Sequence, residues 1–418
     1  MTSPRCILTT ASADEHQSIV GEDHFLTFYA KGSRCWIERG DRREELQGNP
    51  FVLLRQLLDE YRASPGGAIG AFSYDLKDWI ESSESKAIDD LDLPQIAFQF
   101  FRRLEKRRMD EFQSSDWVGE PAEGRGRGFP SRGYRCEVNS SMSPRFGSLR
   151  SNFSREQYLQ SVNEVIELIR AGDIYQANIS QRFECDFDGD PLALFTRILD
   201  LGPAPMMAYL AFPEFTLISQ SPERFLKRTG TAVETCPIKG TRPRGKNPAE
   251  DEKLKHELWT SEKDNAELAM IIDLMRNDLG KLAIPGSVKV ADPKRIETYA
   301  NVHHLVATVT AQVLPDVKSL DLIKACFPGG SITGCPKLRA MEIIEEIEPV
   351  KRSFYTGSIG YVRFNGDFDF NIAIRTLIAT KRKLYFNLGG GIVVDSDPQK
   401  EYEETLHKGA SLMKLFDV

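Results

Sequence analysis

The spacing of apolar residues along this chain predicts short strands that alternate with amphipathic helices. Apolar side chains recur at helical spacing over residues 51–61 and again over residues 158–170. At the second helix, Ser154 and Gln157 fit a capping box and Gly172 ends the element. Short apolar runs predict strands at residues 25–29, 35–38, 66–72, 96–102, 174–180, 206–212, 215–219, 355–364, 367–380 and 383–388.

Two further helices carry acidic pairs. One long helix is predicted over residues 248–281, and the last helix begins at Asp397. Each has two carboxylates three residues apart, which therefore share a face. The pairs are Asp264 with Glu267, and Glu401 with Glu404. Each pair alone is most simply a solvated helix face. Together they suit Mg²⁺, which binds one or two protein carboxylates plus waters and substrate oxygens.

Composition then limits the class of protein. The 418 residues are 41% hydrophobic and 28% charged, as in a globular protein, and the net charge of −7 argues against general nucleic-acid binding. Seven scattered cysteines without a C-x-x-C pair predict neither a zinc site nor a disulfide framework, and we expect a reducing, cytoplasmic location. Neither a signal peptide nor a run of ~18 apolar residues is present, so no membrane partner is expected.

One segment differs in composition from the rest of the chain. Between residues 114 and 152, Gly, Pro, Ser and Arg dominate, which predicts a linker or loop with little core-forming content. The chain is therefore divided into an N-terminal region (1–113), this linker (114–152) and a C-terminal domain (153–418) that holds most of the candidate chemistry.

The stretch with the most candidate chemistry, residues 235–245, reads T-C-P-I-K-G-T-R-P-R-G. Its prolines and glycines predict a shaped loop. Two arginines follow Lys239, and neighbouring cations lower the pKa of a lysine amine and make it nucleophilic. The arginines are also suited to clamping an anionic substrate. A solvated basic loop is the simpler interpretation of the same residues.

Other candidates lie on either side of that stretch. Glu223 precedes it, and a glutamate in a surface turn is the simplest interpretation of this residue. His303 and His304 are adjacent in a predicted strand and so point to opposite faces, which leaves at most one of them for a given site. Arg375 lies in a predicted apolar strand, where a charge needs a partner or a ligand.

Two glycine-rich segments offer backbone amides. Residues 327–337 have the G-x-x-x-x-G spacing of a phosphate loop but lack the Lys and Ser/Thr that should follow. This segment leads into a helix, and the hydroxyls of Ser331 and Thr333 add donors, so an anion site and a plain loop–helix junction both remain open. Residues 389–391 are three consecutive glycines at the end of a strand.

Over about residues 153–416 these motifs resemble those of the chorismate-utilising enzymes, the family of anthranilate, isochorismate, salicylate and aminodeoxychorismate synthases. The motifs are S-P-E-R-F, P-I-K-G-T-R-P, A-E-L-A-M-I-I-D-L-M-R-N-D-L, H-L-V-A-T, P-G-G-S-I-T-G and E-Y-E-E-T. The earlier stretch G-G-A-I-G-A-F-S-Y-D extends the resemblance to nearly the whole chain. The resemblance implies an α+β fold in which helices flank two facing antiparallel β-sheets, with the site between them.

The resemblance also implies roles for individual residues. Mg²⁺ would be held by Glu267 and Glu404, with Asp264 and Glu401 holding metal-bound waters. His304 corresponds to a family histidine beside the reacting ring. The remaining positions would receive the substrate's carboxylates, and they are Gly330, Ser331, Thr333, Tyr355, Arg375, Gly389 and Gly391.

Two positions sort this family by nucleophile. Water-using members carry lysine where this chain has Gln176, and anthranilate synthases carry alanine where it has Lys239. The resemblance therefore implies the branch that aminates chorismate at C4. In that branch the lysine attacks ring carbon C2 as the C4 hydroxyl leaves, and ammonia then adds at C4 and expels the lysine. Glu223 would protonate the departing hydroxyl.

The implied product is 4-amino-4-deoxychorismate, an intermediate of para-aminobenzoate and folate biosynthesis. The chain ends about where the synthase domain of the family ends, so we expect ammonia from a separate glutamine amidotransferase subunit. The alternatives are anthranilate synthase component I, a related 2-amino-chorismate synthase and a non-catalytic regulatory homologue. The presence of Glu223, Lys239, Glu267 and Glu404 argues against the last of these.

Overall fold

The computed structural model describes residues 6–11, 16–81, 85–108, 144–299 and 301–416. Most of the predicted linker, residues 114–143, lies outside these ranges. Its last residues form two short strands, Arg145–Phe146 and Arg150–Ser151. The division of the chain into 1–113, 114–152 and 153–418 stays a prediction.

The helices of the described residues begin and end close to the predicted positions. Asn49 caps the first helix, and Ser154 with Gln157 forms the predicted capping box of the second. Gly172 ends that second helix with a φ of 88°, in the left-handed region that favours glycine. The helices are α1 (Pro50–Glu60), α2 (Arg155–Ala171), α3 (Pro191–Leu201), α4 (Pro248–Thr260), α5 (Glu262–Gly280), α6 (Ser319–Cys326), α7 (Lys337–Ile347), α8 (Pro398–Lys408) and α9 (Ala410–Met413). None of these helices is both long and apolar enough to cross a membrane.

Every ladder between named strands in the described residues is antiparallel. The strands are β1 (Cys6–Ala11), β2 (His16–Lys31), β3 (Arg34–Arg39), β4 (Arg42–Gln47), β5 (Gly67–Phe72), β6 (Ile96–Arg108), β7 (Arg145–Phe146), β8 (Arg150–Ser151), β9 (Gln176–Asp188), β10 (Met206–Ala211), β11 (Phe215–Ser221), β12 (Arg224–Thr229), β13 (Ala232–Cys236), β14 (Ile238–Pro243), β15 (Lys289–Thr298), β16 (Val302–Gln312), β17 (Gly334–Cys335), β18 (Ser358–Arg363), β19 (Phe368–Asn371), β20 (Thr376–Thr380) and β21 (Lys383–Ile392).

The ladders form two arms that meet at β2. The first arm runs β4-β3-β2-β6-β5-β18-β19-β12-β13-β16, and β14 and β15 also pair with β16. The second arm runs β1-β10-β11-β20-β21-β9, and β7, β8 and β17 also pair with β9. Among the named strands, the ladder between β1 and the first half of β2 is the one that joins the arms.

The two arms pack face to face through a shared hydrophobic core. Ile69 and Ala97 of the first arm belong to the same buried cluster as Leu210, Leu217 and Ile378 of the second. Helices cover the outer faces: α2 and α7 pack against β9, and α3 packs against the β9, β20 and β21 side of the second arm. Helix α5 packs against the first arm through the buried cluster that it shares with the strands of that arm. The predicted α+β fold, with two facing antiparallel sheets and flanking helices, is confirmed.

The predicted long helix over residues 248–281 is wrong in one respect. It is two helices, because Ser261 has a ψ of 111° and its hydroxyl accepts a hydrogen bond from the Asp264 backbone N–H. Serine at this position competes with the helix backbone and caps a new helix instead. The break re-aims α5, which carries Asp264 and Glu267.

Residues 235–245 are not a loop, as predicted, but largely strand. The segment pairs with β16, and Lys239 lies opposite Leu305. Gly240 has a φ of 74° and produces a bulge between Lys239 and Thr241. Because β14 pairs only with β16 among the described strands, Pro243 removes no ladder bond on its open side.

The predicted strand over residues 367–380 is interrupted. β19 ends at Asn371 and β20 begins at Thr376, and between them Arg375 has a φ of 49°. Left-handed backbone is unusual for arginine and persists where surrounding structure imposes it. Arg375 is therefore held at a break between strands and not within one.

Candidate active site

Lys239 points its amine into the molecule from β14. The side chain is 12% exposed, and its Nζ lies 3.5 Å from a carboxylate oxygen of Glu267 on α5. Burial lowers the pKa of this amine, which Glu267 partly opposes and the Lys408 ammonium reinforces. A lowered pKa increases the neutral, nucleophilic fraction of a lysine. For Lys239, the alternative of a solvated loop is wrong.

The two arginines that follow Lys239 are engaged elsewhere. The Arg242 guanidinium lies 3.1 Å from Asp264, and Arg244 donates two hydrogen bonds of 2.8 and 3.0 Å to Asp251. Asp251 also accepts from His303 at 3.0 Å. These pairs join α4 and α5 to the strand that carries Lys239. Burial and Lys408, rather than the two arginines, lower the pKa of the lysine.

Glu223 lies in the turn between β11 and β12 and is 5% exposed. Burial raises the pKa of its carboxyl to about 7, while the Ser331 hydroxyl, Lys239 and the Ile238 amide favour the charged form. A carboxyl that titrates near neutrality can both give and accept a proton. The interpretation as a surface-turn glutamate is wrong, because the turn is covered by the rest of the fold.

His304 is the one of the two adjacent histidines that has a free ring nitrogen. Its Nδ1 lies 2.9 Å from the Thr241 hydroxyl, and its Nε2 is buried with no hydrogen-bond partner among the described residues. Burial, reinforced by the Arg375 guanidinium, lowers the pKa of His304 to about 3. The imidazole is therefore neutral at physiological pH. His303 uses both ring nitrogens, on Thr298 and Asp251.

The glycines of β21 leave room beside Lys239. A Cβ placed on Gly391 would lie 2.7 Å from the Gln176 side-chain nitrogen and 3.5 Å from the Lys239 amine. A Cβ on Gly389 would lie 2.8 Å from the Tyr355 hydroxyl. Burial raises the pKa of Tyr355 to about 12, so this hydroxyl keeps its proton. The structure thus brings the side chains of Gln176, Lys239 and Tyr355 together beside the glycine backbone of β21.

Arg375 has no carboxylate partner among the described residues. Burial lowers the pKa of its guanidinium, and its charge is near enough to His304 to lower the pKa of that ring. A guanidinium that is largely removed from water without a counter-ion is suited to bind an anionic ligand. Its position at the break between β19 and β20 supports the predicted contact with a substrate carboxylate.

The three residues of the predicted glycine loop differ in what they contact. A Cβ on Gly330 would lie 2.4 Å from Leu274, so glycine there lets α5 approach closely. The Thr333 hydroxyl donates to the Gly329 carbonyl at 3.0 Å and so closes the loop on itself. The buried Ser331 hydroxyl faces Glu223 and lowers the pKa of that carboxyl, yet it makes no hydrogen bond of ordinary geometry.

The four predicted metal-site carboxylates lie on α5 and α8. Glu404 pairs with Lys408 at 2.7 Å, and Glu401 accepts from the Ser396 hydroxyl at 2.6 Å. Burial would raise the pKa of the Glu404 carboxyl, but Lys408 outweighs burial and holds that pKa below its usual value. Burial raises the pKa of Glu401. Asp264 pairs with Arg242 at 3.1 Å, and its role in holding metal-bound water stays a prediction.

Several buried polar atoms around this cleft have no partner among the described residues. Such atoms are rare in folded proteins, so a cluster of them indicates where a polar ligand completes the bonding. They are both amide atoms of Gln176, Nδ2 of Asn178, Nε2 of His304 and Oγ of Ser331. Sequence reasoning did not include Asn178, although its place in the I-Y-Q-A-N-I-S strand, two residues after Gln176, puts both side chains on one face.

Comparisons with known proteins agree with this geometry. Residues 4–414 match the family model described as chorismate binding enzyme. The chain is 37% identical to aminodeoxychorismate synthase component 1 of Escherichia coli strain K12, over 96% of this chain and 89% of that protein. It is 38% identical to anthranilate synthase component 1 of Thermus thermophilus, over 96% and 89% respectively.

A solved structure gives the same result for the fold. The crystal structure of anthranilate synthase component I from Streptococcus pneumoniae TIGR4 superposes with a TM-score of 0.80 and 26% identity, and the match covers 96% of this chain and 93% of that one. The family model covers the strands of both arms and every predicted site residue. This chain therefore belongs to the family of chorismate binding enzymes.

Proposed function

We propose that this chain aminates chorismate at C4 and yields 4-amino-4-deoxychorismate. The identities to the two kinds of relative are nearly equal, at 37% and 38%, so overall similarity does not separate them. The observation that carries the proposal is Lys239, whose amine is buried beside Glu267 and has a lowered pKa. A nucleophilic amine in the cleft is required for attack on the ring and has no use in direct ammonia addition at C2.

The reaction is a double displacement with allylic shift. The neutral Lys239 amine forms a bond to C2, the two conjugated ring double bonds shift from C1=C2 and C5=C6 to C1=C6 and C4=C5, and the C4–oxygen bond breaks. Ammonia then bonds to C4, both double bonds shift back to C5=C6 and C1=C2, and the C2–nitrogen bond to Lys239 breaks. While bonded to C2, the Lys239 nitrogen keeps both of its hydrogens and a positive charge, so it leaves as the neutral amine without a further proton transfer. Two modest barriers thus replace one direct displacement.

Glu223 supplies the proton for the first half. Hydroxide is a poor leaving group, so the protonated carboxyl gives its proton to the C4 oxygen and water departs. The resulting carboxylate accepts a proton from the incoming ammonium group in the second half. A carboxyl whose pKa is about 7 changes state easily in both directions near neutral pH.

Arg375 and the amides of β21 would hold the substrate's carboxylates, and the neutral His304 ring would lie beside the reacting ring. Two observations on the described part of the chain support these assignments: the Arg375 guanidinium has no carboxylate partner there, and the buried Nε2 of His304 has no hydrogen-bond partner there. Tyr355 keeps its proton and so donates a hydrogen bond to an anion without itself becoming charged.

The carboxylates of α5 and α8 fit a hard divalent cation. In the structure, the side-chain nitrogens of Lys239 and Lys408 lie 3.5 and 2.7 Å from Glu267 and Glu404. No three His, Cys, Asp or Glu side chains of the described residues gather closely enough to hold a metal without other ligands. This arrangement fits Mg²⁺, which binds few protein oxygens and keeps positions for substrate. Bound there, Mg²⁺ would neutralise a substrate carboxylate and orient the ring.

Ammonia would come from a glutamine amidotransferase subunit, because the name component 1 of the relatives implies a second component. The test of the whole proposal is mass spectrometry of the products from chorismate, Mg²⁺ and ammonium. We expect 4-amino-4-deoxychorismate. Anthranilate or a 2-amino product would instead support the second candidate, an anthranilate-type synthase, and no consumption of chorismate under any condition would support a regulatory homologue.

Substitution of Gly391 by alanine tests whether the reaction needs the space that the glycines of β21 leave beside Lys239. The new Cβ would approach the Gln176 amide to 2.7 Å, and displacements of about 1 Å in a catalytic site cost about 10²-fold in rate. We expect kcat/KM for chorismate to fall by about that factor, measured as initial rates with ammonium.

Gly390→Ala is the matched control for Gly391→Ala. Its Cβ would lie on the opposite face of the strand, at 3.4 Å from Glu401 and 3.7 Å from Lys408, which is ordinary contact. We expect its effect to be less than about threefold. Equal losses in the two variants would mean that β21 is merely intolerant of side chains.

Substitution of Glu404 by glutamine tests the cation site. We expect the Mg²⁺ concentration for half-maximal activity to rise by at least about 10-fold, because the amide keeps the shape but loses the charge. Glu403→Gln is the control on the exposed face of α8. An unchanged Mg²⁺ requirement in Glu404→Gln would contradict the assignment.

A further inference from the structure

A buried ion pair outside the residues discussed so far lies behind the cleft. Arg352 is 2% exposed and Glu348 is 5% exposed. The guanidinium donates to the carboxylate twice, at 2.9 Å from Nε and 2.7 Å from Nη2. Both residues follow the end of α7, so the pair is not part of a helix surface.

The remaining donors of Arg352 go to separate parts of the chain. Nη1 donates to the Ile332 carbonyl at 3.1 Å and to the Thr356 hydroxyl at 3.3 Å, and Nη2 donates to the Asn178 carbonyl at 2.5 Å. Glu348 in turn accepts from the Ser180 backbone N–H at 2.8 Å and from its hydroxyl at 3.0 Å.

These partners belong to segments that carry predicted substrate contacts. Ile332 lies between Ser331 and Thr333 in the glycine loop. In the β9–β21 ladder, Asn178 lies opposite Gly391 and Ser180 lies opposite Gly389.

The guanidinium also packs against a predicted ligand of the substrate. It lies 5.6 Å from the centre of the Tyr355 ring and 4.9 Å from the centre of the Tyr74 ring. One ion pair therefore contacts the glycine loop, the strand opposite the β21 glycines and the turn that carries Tyr355.

Stability alone gives little reason for such a pair. Removing two charges from water is costly, and apolar residues of similar volume often replace a buried ion pair without loss of stability. A planar guanidinium with fixed donors does, however, set the relative positions of several carbonyl groups at once. The hydrogen bonds of this pair lie between segments and not within one.

We propose that Arg352 and Glu348 are positioning residues, which hold the glycine loop, β9 and the Tyr355 turn at the separation that the substrate's carboxylates require. Neither residue contacts the reacting atoms. The inference rests on the proposed function for the nature of the substrate. In this proposal, the Arg352–Glu348 pair aligns the segments that bind the substrate's carboxylates.

The test compares Arg352→Met and Arg352→Lys with the wild type in steady-state kinetics. We expect Arg352→Met to raise the KM for chorismate by at least about 10-fold, because misaligned donors weaken substrate binding. The KM for ammonium should change less than about twofold. Arg352→Lys keeps the charge but not the planar fork, so it should recover only part of the loss.

These readouts separate positioning from a purely structural role. Partial unfolding lowers the concentration of active protein, which reduces the apparent kcat and leaves KM unchanged. Lys77→Met is the matched control, since it breaks an equally buried pair with Glu345. We expect it to lower Tm as much as Arg352→Met does, with KM for chorismate unchanged within about threefold.

Two results would overturn the inference. One is an unchanged KM for chorismate in Arg352→Met, and the other is the same rise in KM in Lys77→Met. Because the assay follows chorismate consumption, it gives an answer even if the wild-type product is not 4-amino-4-deoxychorismate. In that case the proposed function fails, while the KM ratios still decide the role of Arg352.

Discussion

Lys239→Ala is expected to lower formation of 4-amino-4-deoxychorismate from chorismate and ammonium by about 10³-fold or more. The substitution removes the nucleophile that the reaction requires, and loss of a catalytic nucleophile is among the largest single effects in enzymes. The substitution does not remove the carboxylate-binding residues, so the affinity of the variant for chorismate should change far less than its rate. Mass spectrometry of the C4-aminated product gives the measurement.

Two further variants define what that loss means. Lys239→Arg keeps a positive charge beside Glu267 but is not nucleophilic, so it should be as inactive as alanine. Lys263→Ala removes another ammonium, which lies 3.9 Å from the same Glu267 carboxylate and is 59% exposed. We expect nearly full activity from it. C4 amination at an unimpaired rate in Lys239→Ala would exclude the covalent intermediate.

Glu223→Gln is expected to lower the rate of C4 amination by about 10²–10⁴-fold, which is the usual contribution of a positioned acid. In the wild type, the pH dependence of kcat should show a loss of activity as pH rises through about 7, where this carboxyl loses its proton. The variant cannot lose that proton, so its residual rate should lack this limb. If Glu223→Gln still lost activity as the pH rises through about 7, that loss would have to come from the titration of another group.

The same substitution should stabilise the fold at alkaline pH. The folded-state pKa of Glu223 is about 7, above its ordinary value of 4.5, so the folded protein binds the proton more tightly than the unfolded chain. As pH rises from 4.5 to 7, the unfolded state gains stability from ionisation and the folded state does not. This penalty, about 3 kcal/mol, is fully present above pH 7 and absent below 4.5.

Denaturant unfolding checks this opposite effect on stability. Glutamine does not ionise, so the free energy of unfolding of Glu223→Gln, relative to wild type, should rise by roughly that amount between pH 4.5 and pH 8. A difference that does not depend on pH would mean that Glu223 does not titrate in this range. Loss of activity with a gain in stability is the common pattern when a site residue is replaced by a neutral one of the same shape.

Local signals in the sequence predicted much of the fold. The caps at Ser154 and Gly172 placed a helix accurately, and the apolar runs located most strands. The break at Ser261 was missed although S-E-K-D is itself a capping pattern, because the helical spacing of apolar residues continues across it. Pairing between strands distant in sequence, such as β14 with β16, leaves no such local signal.

The candidate site was predicted unevenly for a related reason. Motif resemblance pointed to Lys239 and Glu223, but the cause of their perturbed pKa values is burial, which spacing does not reveal. Arg352 lies in E-P-V-K-R, which is what an exposed helix end also looks like. Gly330 looked like a ligand-binding glycine, and only the approach of Leu274 shows a packing reason for it.

The junction at β2 has a consequence for how the enzyme can be divided. Every residue proposed to touch chorismate lies after residue 170, yet the two arms that carry these residues are joined through strands that end before residue 32. A fragment that began at α2 would keep the reactive groups but would lose the β1–β2 ladder that joins the two arms. Supplied as a separate piece, the N-terminal strands would act as a template on which such a fragment regains its shape.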